Sequence, residues 1–152
     1  MEKHKSKGLM VRDVQVGGDA PIVVQSMNNT DTRDVQATLK QIDQLAEAGC
    51  EITRVAIPDK AAALALREIV KYSPIPVIAD IHFQAELAIL ALENNADGIR
   101  INPGNIGSKD KVKAIAELAK EKHIPIRVGV NSGSLDPVIR DSMGGVNANS
   151  MV

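Results

Sequence analysis

The fold of this 152-residue chain is decided by the segment PVIADIH at residues 76–82. Successive side chains of a strand point to opposite faces, so Asp80 and His82 share one face while Val77 and Ile81 take the other. Charged residues on one face, at the carboxyl end of a strand, are typical of a barrel whose interior opens there to an active site. A doubly wound sheet is covered by helices on both faces, so it buries such charges poorly.

Four other β-branched segments lie at regular intervals, at residues 22–27, 52–57, 98–102 and 125–131. Three of them separate polar from apolar side chains in the same way. The polar residues of shared parity are Arg54, then Arg100 and Asn102, then Arg127 and Asn131. Between the segments, apolar residues recur at helical spacing, with Asp59 and Ser108 placed to cap two of the helices. We therefore predict an α/β fold of about five βα units with parallel strands.

Two parallel architectures accommodate five such units. The length favours a complete flavodoxin-like sheet, because a full (β/α)8 TIM barrel needs roughly 250 residues. The shared parity of the charges favours a partial TIM barrel, and this is our prediction. Residues 10–16 alternate in polarity and end at Gly17 and Gly18, which predicts a short N-terminal β-hairpin at the lower end of the barrel.

Composition excludes several classes of function. The chain has 18 Lys plus Arg against 19 Asp plus Glu and only two aromatic residues, so we expect no nucleic-acid binding. No apolar run is longer than that at residues 61–66, which is far shorter than the ~20 residues that span a bilayer, and we expect a cytoplasmic protein without membrane contact. Cys50 is the only cysteine, so we expect no metal site in this chain.

The predicted barrel mouth is rich in positive charge. Arg54, Arg100 and Arg127 converge there on a single carboxylate, Asp80, which suits a small anion with several charges, such as a diphosphate. Glycine-containing turns follow two of the strands, at residues 102–108 and 131–134, and let the backbone approach such a ligand.

Four motifs give the chain a resemblance to a known family. They are VQSM at 24–27, ADIHF at 79–83, RINPGNIG at 100–107 and IRVGVN at 126–131. Together they closely resemble the bacterial 4-hydroxy-3-methylbut-2-enyl diphosphate synthases, the IspG or GcpE type, of the methylerythritol phosphate route to isoprenoids.

The resemblance implies an oxidoreductase that opens and dehydrates 2-C-methyl-D-erythritol 2,4-cyclodiphosphate with two electrons from flavodoxin or ferredoxin. It implies a TIM barrel for the substrate, a separate C-terminal domain with a [4Fe–4S] cluster, and a homodimer. In this chain it assigns substrate binding to Arg54, Arg100, Asn102, Arg127 and Asn131, and it makes Asp80 and His82 the candidate catalytic residues.

Residues 1–152 are expected to be the N-terminal portion of that substrate-binding barrel, without the iron–sulfur domain or its ligands. Such a fragment is expected to be inactive alone. Two alternatives remain open: a barrel that binds a pterin diphosphate and resembles dihydropteroate synthase, and a non-catalytic assembly fragment.

Overall fold

A computed structural model describes residues 6–151, which form a β-hairpin followed by five parallel strands that alternate with helices. The strands are β1 (Leu9–Val11), β2 (Val14–Val16), β3 (Gln25–Met27), β4 (Ile52–Ala56), β5 (Val77–Asp80), β6 (Gly98–Ile101) and β7 (Ile126–Val128). The helices are α1 (Val35–Glu47), α2 (Lys60–Tyr72), α3 (Ala85–Glu93), α4 (Pro103–Ile106), α5 (Lys109–Glu121) and α6 (Pro137–Ser142), with a 3-10 turn at Ser132–Ser134.

The order of the strands distinguishes the two predicted architectures. The sheet runs β3-β4-β5-β6-β7, so each strand lies beside the next one in the sequence. A doubly wound sheet reverses its strand order at a switch point, whereas a barrel wall does not. The predicted α/β fold, a partial TIM barrel with a short N-terminal β-hairpin, is confirmed.

All five parallel strands are shorter than predicted, as the two edge strands illustrate. The first begins at Gln25 and not at residue 22, and Ile22 is almost fully exposed. The last ends at Val128, although the Gly129 N–H still donates to the Ile101 carbonyl at 2.9 Å. The neighbouring β6 ends at Ile101, so residues 130 and 131 have no backbone to pair with on that side.

The helices begin where the sequence places capping residues. The Asp59 carboxylate accepts from the Ala62 N–H at 3.0 Å, and the Ser108 hydroxyl accepts from the Lys111 N–H at 3.4 Å, so both predicted caps are confirmed. The segment predicted as a loop after β6 contains a single helical turn, α4, which was not predicted. Asn102 caps this turn and Pro103 is its first residue, an arrangement that an Asn-Pro pair favours.

The two faces of the sheet differ as the parity of the side chains requires. Apolar residues of the outer face pack beneath the helices and form the larger core, with Val55, Val77 and Ile99 fully buried among them. The pairing register puts Ala56 beside Asp80, Asp80 beside Arg100, and Arg100 beside Arg127. The charged residues therefore line the inner face of the partial barrel.

The hairpin closes the lower end of that inner face. Val11 is buried against Ile52 and Ile78, in a small apolar cluster separate from the larger core. Arg12 anchors the hairpin because its guanidinium donates to the Pro74 carbonyl at 3.0 Å and lies 3.6 Å from Asp97 Oδ2. The hairpin thus occupies the lower end, as the sequence predicts.

Asp97 is the buried acid of this lower end. Its Oδ2 accepts from the Val77 N–H at 2.8 Å, which fixes the start of β5. Burial raises the pKa of the Asp97 carboxyl, and the Val77 hydrogen bond and the Arg12 guanidinium act against that shift.

Across residues 6–151, none of the helices has the length and apolar character needed to cross a membrane.

Candidate functional site

The centre of the site is a buried carboxylate held between two guanidinium groups. Arg54 Nε lies 3.3 Å from Asp80 Oδ2, and Arg100 Nη1 donates to Asp80 Oδ1 at 3.3 Å. The Asp80 side chain is only 4% exposed, so the two guanidinium groups take the place of solvent beside its carboxylate. The parallel register places Arg100 of β6 directly beside Asp80, whereas Arg54 of β4 pairs with Ile78, two residues before Asp80, and reaches the carboxylate diagonally.

The donors of Arg54 are only partly used. Its Nη2 contacts the Met27 sulfur at 3.3 Å, and a thioether is a weak acceptor. Its Nε is buried and makes no hydrogen bond with any described residue, because the N–H is poorly aligned with Asp80 despite their proximity. A guanidinium with unused donors in a fixed position is suited to binding an anion that has several oxygen atoms.

His82 lies just beyond β5 and borders the same carboxylate. Its Nε2 is 3.6 Å from Asp80 Oδ2, and about half of the side chain is exposed. The two candidate catalytic residues are therefore neighbours, with His82 on the solvent side of Asp80. In this position the His82 imidazole is open to solvent on the side away from Asp80.

Arg127 lies on the inner face but is not one of the two arginines that contact Asp80. Its Nη1 donates to Gln25 Oε1 at 3.0 Å, and Arg127 is exposed.

Sequence reasoning missed Gln25 and Met27 as parts of the site. Their parity was the available signal, because Gln25 and Met27 pair with Ile52 and Arg54 and so face the same interior.

The two asparagines belong to the turns that follow β6 and β7. Asn102 is buried, and both of its polar groups are occupied: Oδ1 accepts from the Gly104 N–H at 3.1 Å, and Nδ2 donates to the Ser134 hydroxyl at 2.5 Å. The Asn131 backbone N–H also donates to the Ser134 hydroxyl, at 3.2 Å, while its side chain is exposed. Ser134 therefore joins the two turns, and direct ligand contacts from Asn102 and Asn131 stay predictions.

An apolar cavity of about 290 Å³ is lined in part by His82. Its other walls come from the end of β4, the loops after β4 and β5, and the start of α3, and consist of Ala56, Ile57, Pro58, Phe83, Gln84 and Leu87. An anion site beside an apolar cavity suits a ligand with a charged group and a small carbon skeleton.

The described residues do not supply a set of ligands for an iron–sulfur cluster. Cys50 is buried at the other end of β4, where its Sγ donates to the Ile52 carbonyl at 3.1 Å. Within residues 6–151, no group of three or more His, Cys, Asp or Glu side chains is placed to hold a metal ion. The described residues therefore do not fit an iron–sulfur cluster, which needs several ligands close together.

Solved structures resemble the chain only loosely. A mandelate oxidase variant matches with a TM-score of 0.46 and 19% identity, covering 68% of this chain and 41% of its own. A phospho-2-dehydro-3-deoxyheptonate aldolase from Thermotoga maritima matches with a TM-score of 0.44 and 14% identity, covering 82% and 45%. At these TM-scores neither similarity bears on the fold or the function.

Sequence relatives are much closer. Proteins named 4-hydroxy-3-methylbut-2-en-1-yl diphosphate synthase (flavodoxin) match from Maridesulfovibrio salexigens, at 55% identity over 152 residues, and from Aquifex aeolicus, at 53% over 151 residues. The matches cover 100% and 99% of this chain but only 42% of each relative. Residues 6–152 also match a family model that is described as the GcpE TIM-barrel domain. The chain therefore belongs to the GcpE family.

Proposed function

We propose that this chain supplies the anion-binding part of the substrate barrel of a 4-hydroxy-3-methylbut-2-enyl diphosphate synthase. The ligand is 2-C-methyl-D-erythritol 2,4-cyclodiphosphate, and the whole protein reduces it with two electrons, opening the ring and eliminating water. The observation that carries the proposal is the arrangement of Arg54 and Arg100 about the buried carboxylate of Asp80, towards the carboxyl ends of adjacent parallel strands.

The charges of the site support a diphosphate ligand. Arg54, Arg100 and Arg127 share the inner face with Asp80, so among these four residues the positive groups outnumber the carboxylate. We assign the phosphate oxygens to these three guanidinium groups, which can bind them in bidentate fashion. Asn102 and Asn131 lie in the adjoining turns and add hydrogen bonds in this proposal.

Asp80 and His82 have separate roles in the proposal. Asp80 holds Arg54 and Arg100 at a fixed spacing before the ligand arrives, so less ordering is needed on binding. His82, half exposed above Asp80, is the candidate proton donor to an oxygen of the ligand. The apolar cavity beside His82 accommodates the carbon skeleton.

Electron transfer is assigned to other parts of the whole protein. The described residues offer no cluster ligands, so this chain alone is proposed to bind the substrate without reducing it. The relatives' names include flavodoxin, and we propose flavodoxin as the electron donor, with ferredoxin as the substitute. A homodimer and a cytoplasmic location stay predictions.

The test is calorimetric titration of the chain with the cyclodiphosphate. Arg100→Ala is expected to weaken binding at least about tenfold, because a hydrogen-bonded charge contributes about 1.5–3 kcal/mol. Lys113→Ala is the matched control, since it removes one positive charge from an exposed position on α5. Equal losses in the two variants, or no binding by the parent chain, would contradict the proposal, and tighter binding of a pterin diphosphate would favour the alternative barrel.

A further inference from the structure

Gly129 lies where the Arg100 side chain passes over the last strand of the sheet. A Cβ atom built at residue 129 would lie 2.6 Å from Arg100 Nη2, 2.7 Å from Nε and 3.0 Å from Cζ. Nonbonded carbon atoms settle about 3.5–4.0 Å apart, so the guanidinium occupies space that every other residue type would fill. Arg100 is therefore bounded by Asp80 on β5 and by the bare backbone of Gly129 beyond β7.

The backbone of residue 129 does not itself require glycine. Its φ lies outside the left-handed region, unlike that of Gly107, which has a φ of 105°. The Gly129 N–H continues the ladder by donating to the Ile101 carbonyl at 2.9 Å, as any residue except proline can do. What a side chain at residue 129 meets first is the guanidinium of Arg100.

We propose that Gly129 is a positioning residue that sets where the Arg100 guanidinium lies, and so sets the geometry of the anion site. The inference rests on the proposed function, because it concerns the same site and ligand. A methyl group at residue 129 pushes the guanidinium by about 1 Å. Because the long side chain yields more easily than the strand, the fold survives and the binding geometry changes.

The displacement has a direct consequence for binding. Arg100 Nη1 is already 3.3 Å from Asp80 Oδ1, so movement away from residue 129 changes that contact as well as the donors that face the ligand. A bidentate interaction depends on the plane and position of the guanidinium. We therefore expect Gly129→Ala to weaken binding of inorganic diphosphate, the probe ligand, at least about tenfold.

The matched control is Gly98→Ala. Gly98 begins β6, two residues before Arg100 and on the same inner face, and the three atoms nearest a Cβ there belong to Ile78 and Pro125, the first being Ile78 Cγ1 at 3.3 Å. The affinity of the Gly98→Ala variant for diphosphate is expected to stay within about threefold of that of the parent chain. Urea unfolding of both variants separates losses of stability from losses of affinity.

The decisive measurement is a double-mutant cycle on the 152-residue chain. If Gly129 acts through Arg100, then Gly129→Ala adds no further loss in an Arg100→Ala background, where the obstructing group is gone. Additive losses, or unchanged affinity in Gly129→Ala alone, would overturn the inference. Unfolding of the double variant would also overturn it, because the backbone would then be what needs glycine.

A second readout needs no ligand and separates this inference from the proposed function. The Nε–H resonance of Arg100 in a ¹⁵N-correlated NMR spectrum is assigned by its loss in Arg100→Ala. It is expected to move in Gly129→Ala and to stay in place in Gly98→Ala. A moved resonance in a chain that binds no diphosphate would support the positioning and refute the proposed function, whereas an unmoved resonance would refute the positioning.

Discussion

Arg127 donates a hydrogen bond to Gln25 at 3.0 Å, although the two residues lie on β7 and β3, the opposite edges of the five-stranded sheet. In a flat sheet, four strand spacings of about 4.8 Å would separate these edges by roughly 19 Å, which is too far for the two side chains to bridge. The sheet is therefore strongly curved about its inner face. Curvature of this kind brings residues that are 102 positions apart in the sequence into one site.

The first prediction concerns Arg127. Arg127→Ala is expected to weaken cyclodiphosphate binding about tenfold, because a charged donor to the ligand is lost. It should change the free energy of unfolding by less than about 1 kcal/mol, since Arg127 is exposed and its partner is a neutral amide.

Gln25→Ala is the control for this prediction. It removes the same hydrogen bond but leaves the charge, so affinity should stay within about threefold of the parent. Calorimetry and urea unfolding measure both quantities. If Gln25→Ala weakened binding as much as Arg127→Ala, the hydrogen bond and not the charge would account for the effect.

The second prediction concerns Asp80. Asp80→Ala leaves Arg54 and Arg100 close together without their shared carboxylate, and we expect a loss of about 2–4 kcal/mol in the free energy of unfolding. Asp141→Ala is the matched control, since Asp141 pairs with Arg140 on the exposed surface and should contribute less than about 1 kcal/mol. Urea denaturation measures the free energy of unfolding of the two variants. Equal losses of stability would show that the buried ion pairs of Asp80 stabilise the fold no more than the exposed pair of Asp141 does.

The third prediction concerns the turns that carry Asn102 and Asn131. A Cβ at residue 104 would lie 2.5 Å from the Ser134 carbonyl oxygen, a backbone atom that moves only with its whole turn. Gly104→Ala is therefore expected to destabilise the fold by about 1–3 kcal/mol. At Gly133 an added Cβ meets nothing within 4 Å, so Gly133→Ala should change stability by less than about 1 kcal/mol. Thermal unfolding measures the melting temperatures of the two variants. Similar melting temperatures would contradict the close approach of residue 104 to the Ser134 carbonyl.

The fourth prediction is a pH dependence set by Asp97. Burial raises the pKa of this carboxyl in the folded chain, so the folded state holds the proton to a higher pH than the unfolded state does. The contribution of Asp97 to stability is consequently greatest in acid and is lost as the pH rises through the raised pKa.

Asp97→Asn removes that titration and keeps an oxygen that can accept from the Val77 N–H. The difference in unfolding free energy, variant minus parent, is expected to increase as the pH rises from the ordinary aspartate pKa through the raised one. Urea unfolding at a series of pH values measures it. A difference that falls with rising pH would mean that the ion pair with Arg12 outweighs the burial of Asp97.

Sequence was sufficient for what depends on neighbouring positions. The period of two in strands is enough to place Asp80, Arg100 and Arg127 on one face, and capping chemistry locates the starts of α2 and α5. Family membership also followed from local strings such as RINPGNIG. The turn α4 was missed even though its Asn-Pro start was visible.

Tertiary structure alone decided which of these side chains meet. Arg54 and Arg100 contact Asp80, whereas Arg127 reaches Gln25, because the lateral neighbours on the inner face are set by register, curvature and side-chain conformation. The close approach of Arg100 to Gly129 has the same origin. Alternation along a strand fixes the face of a residue, but distances across the face arise only when separate segments pack together.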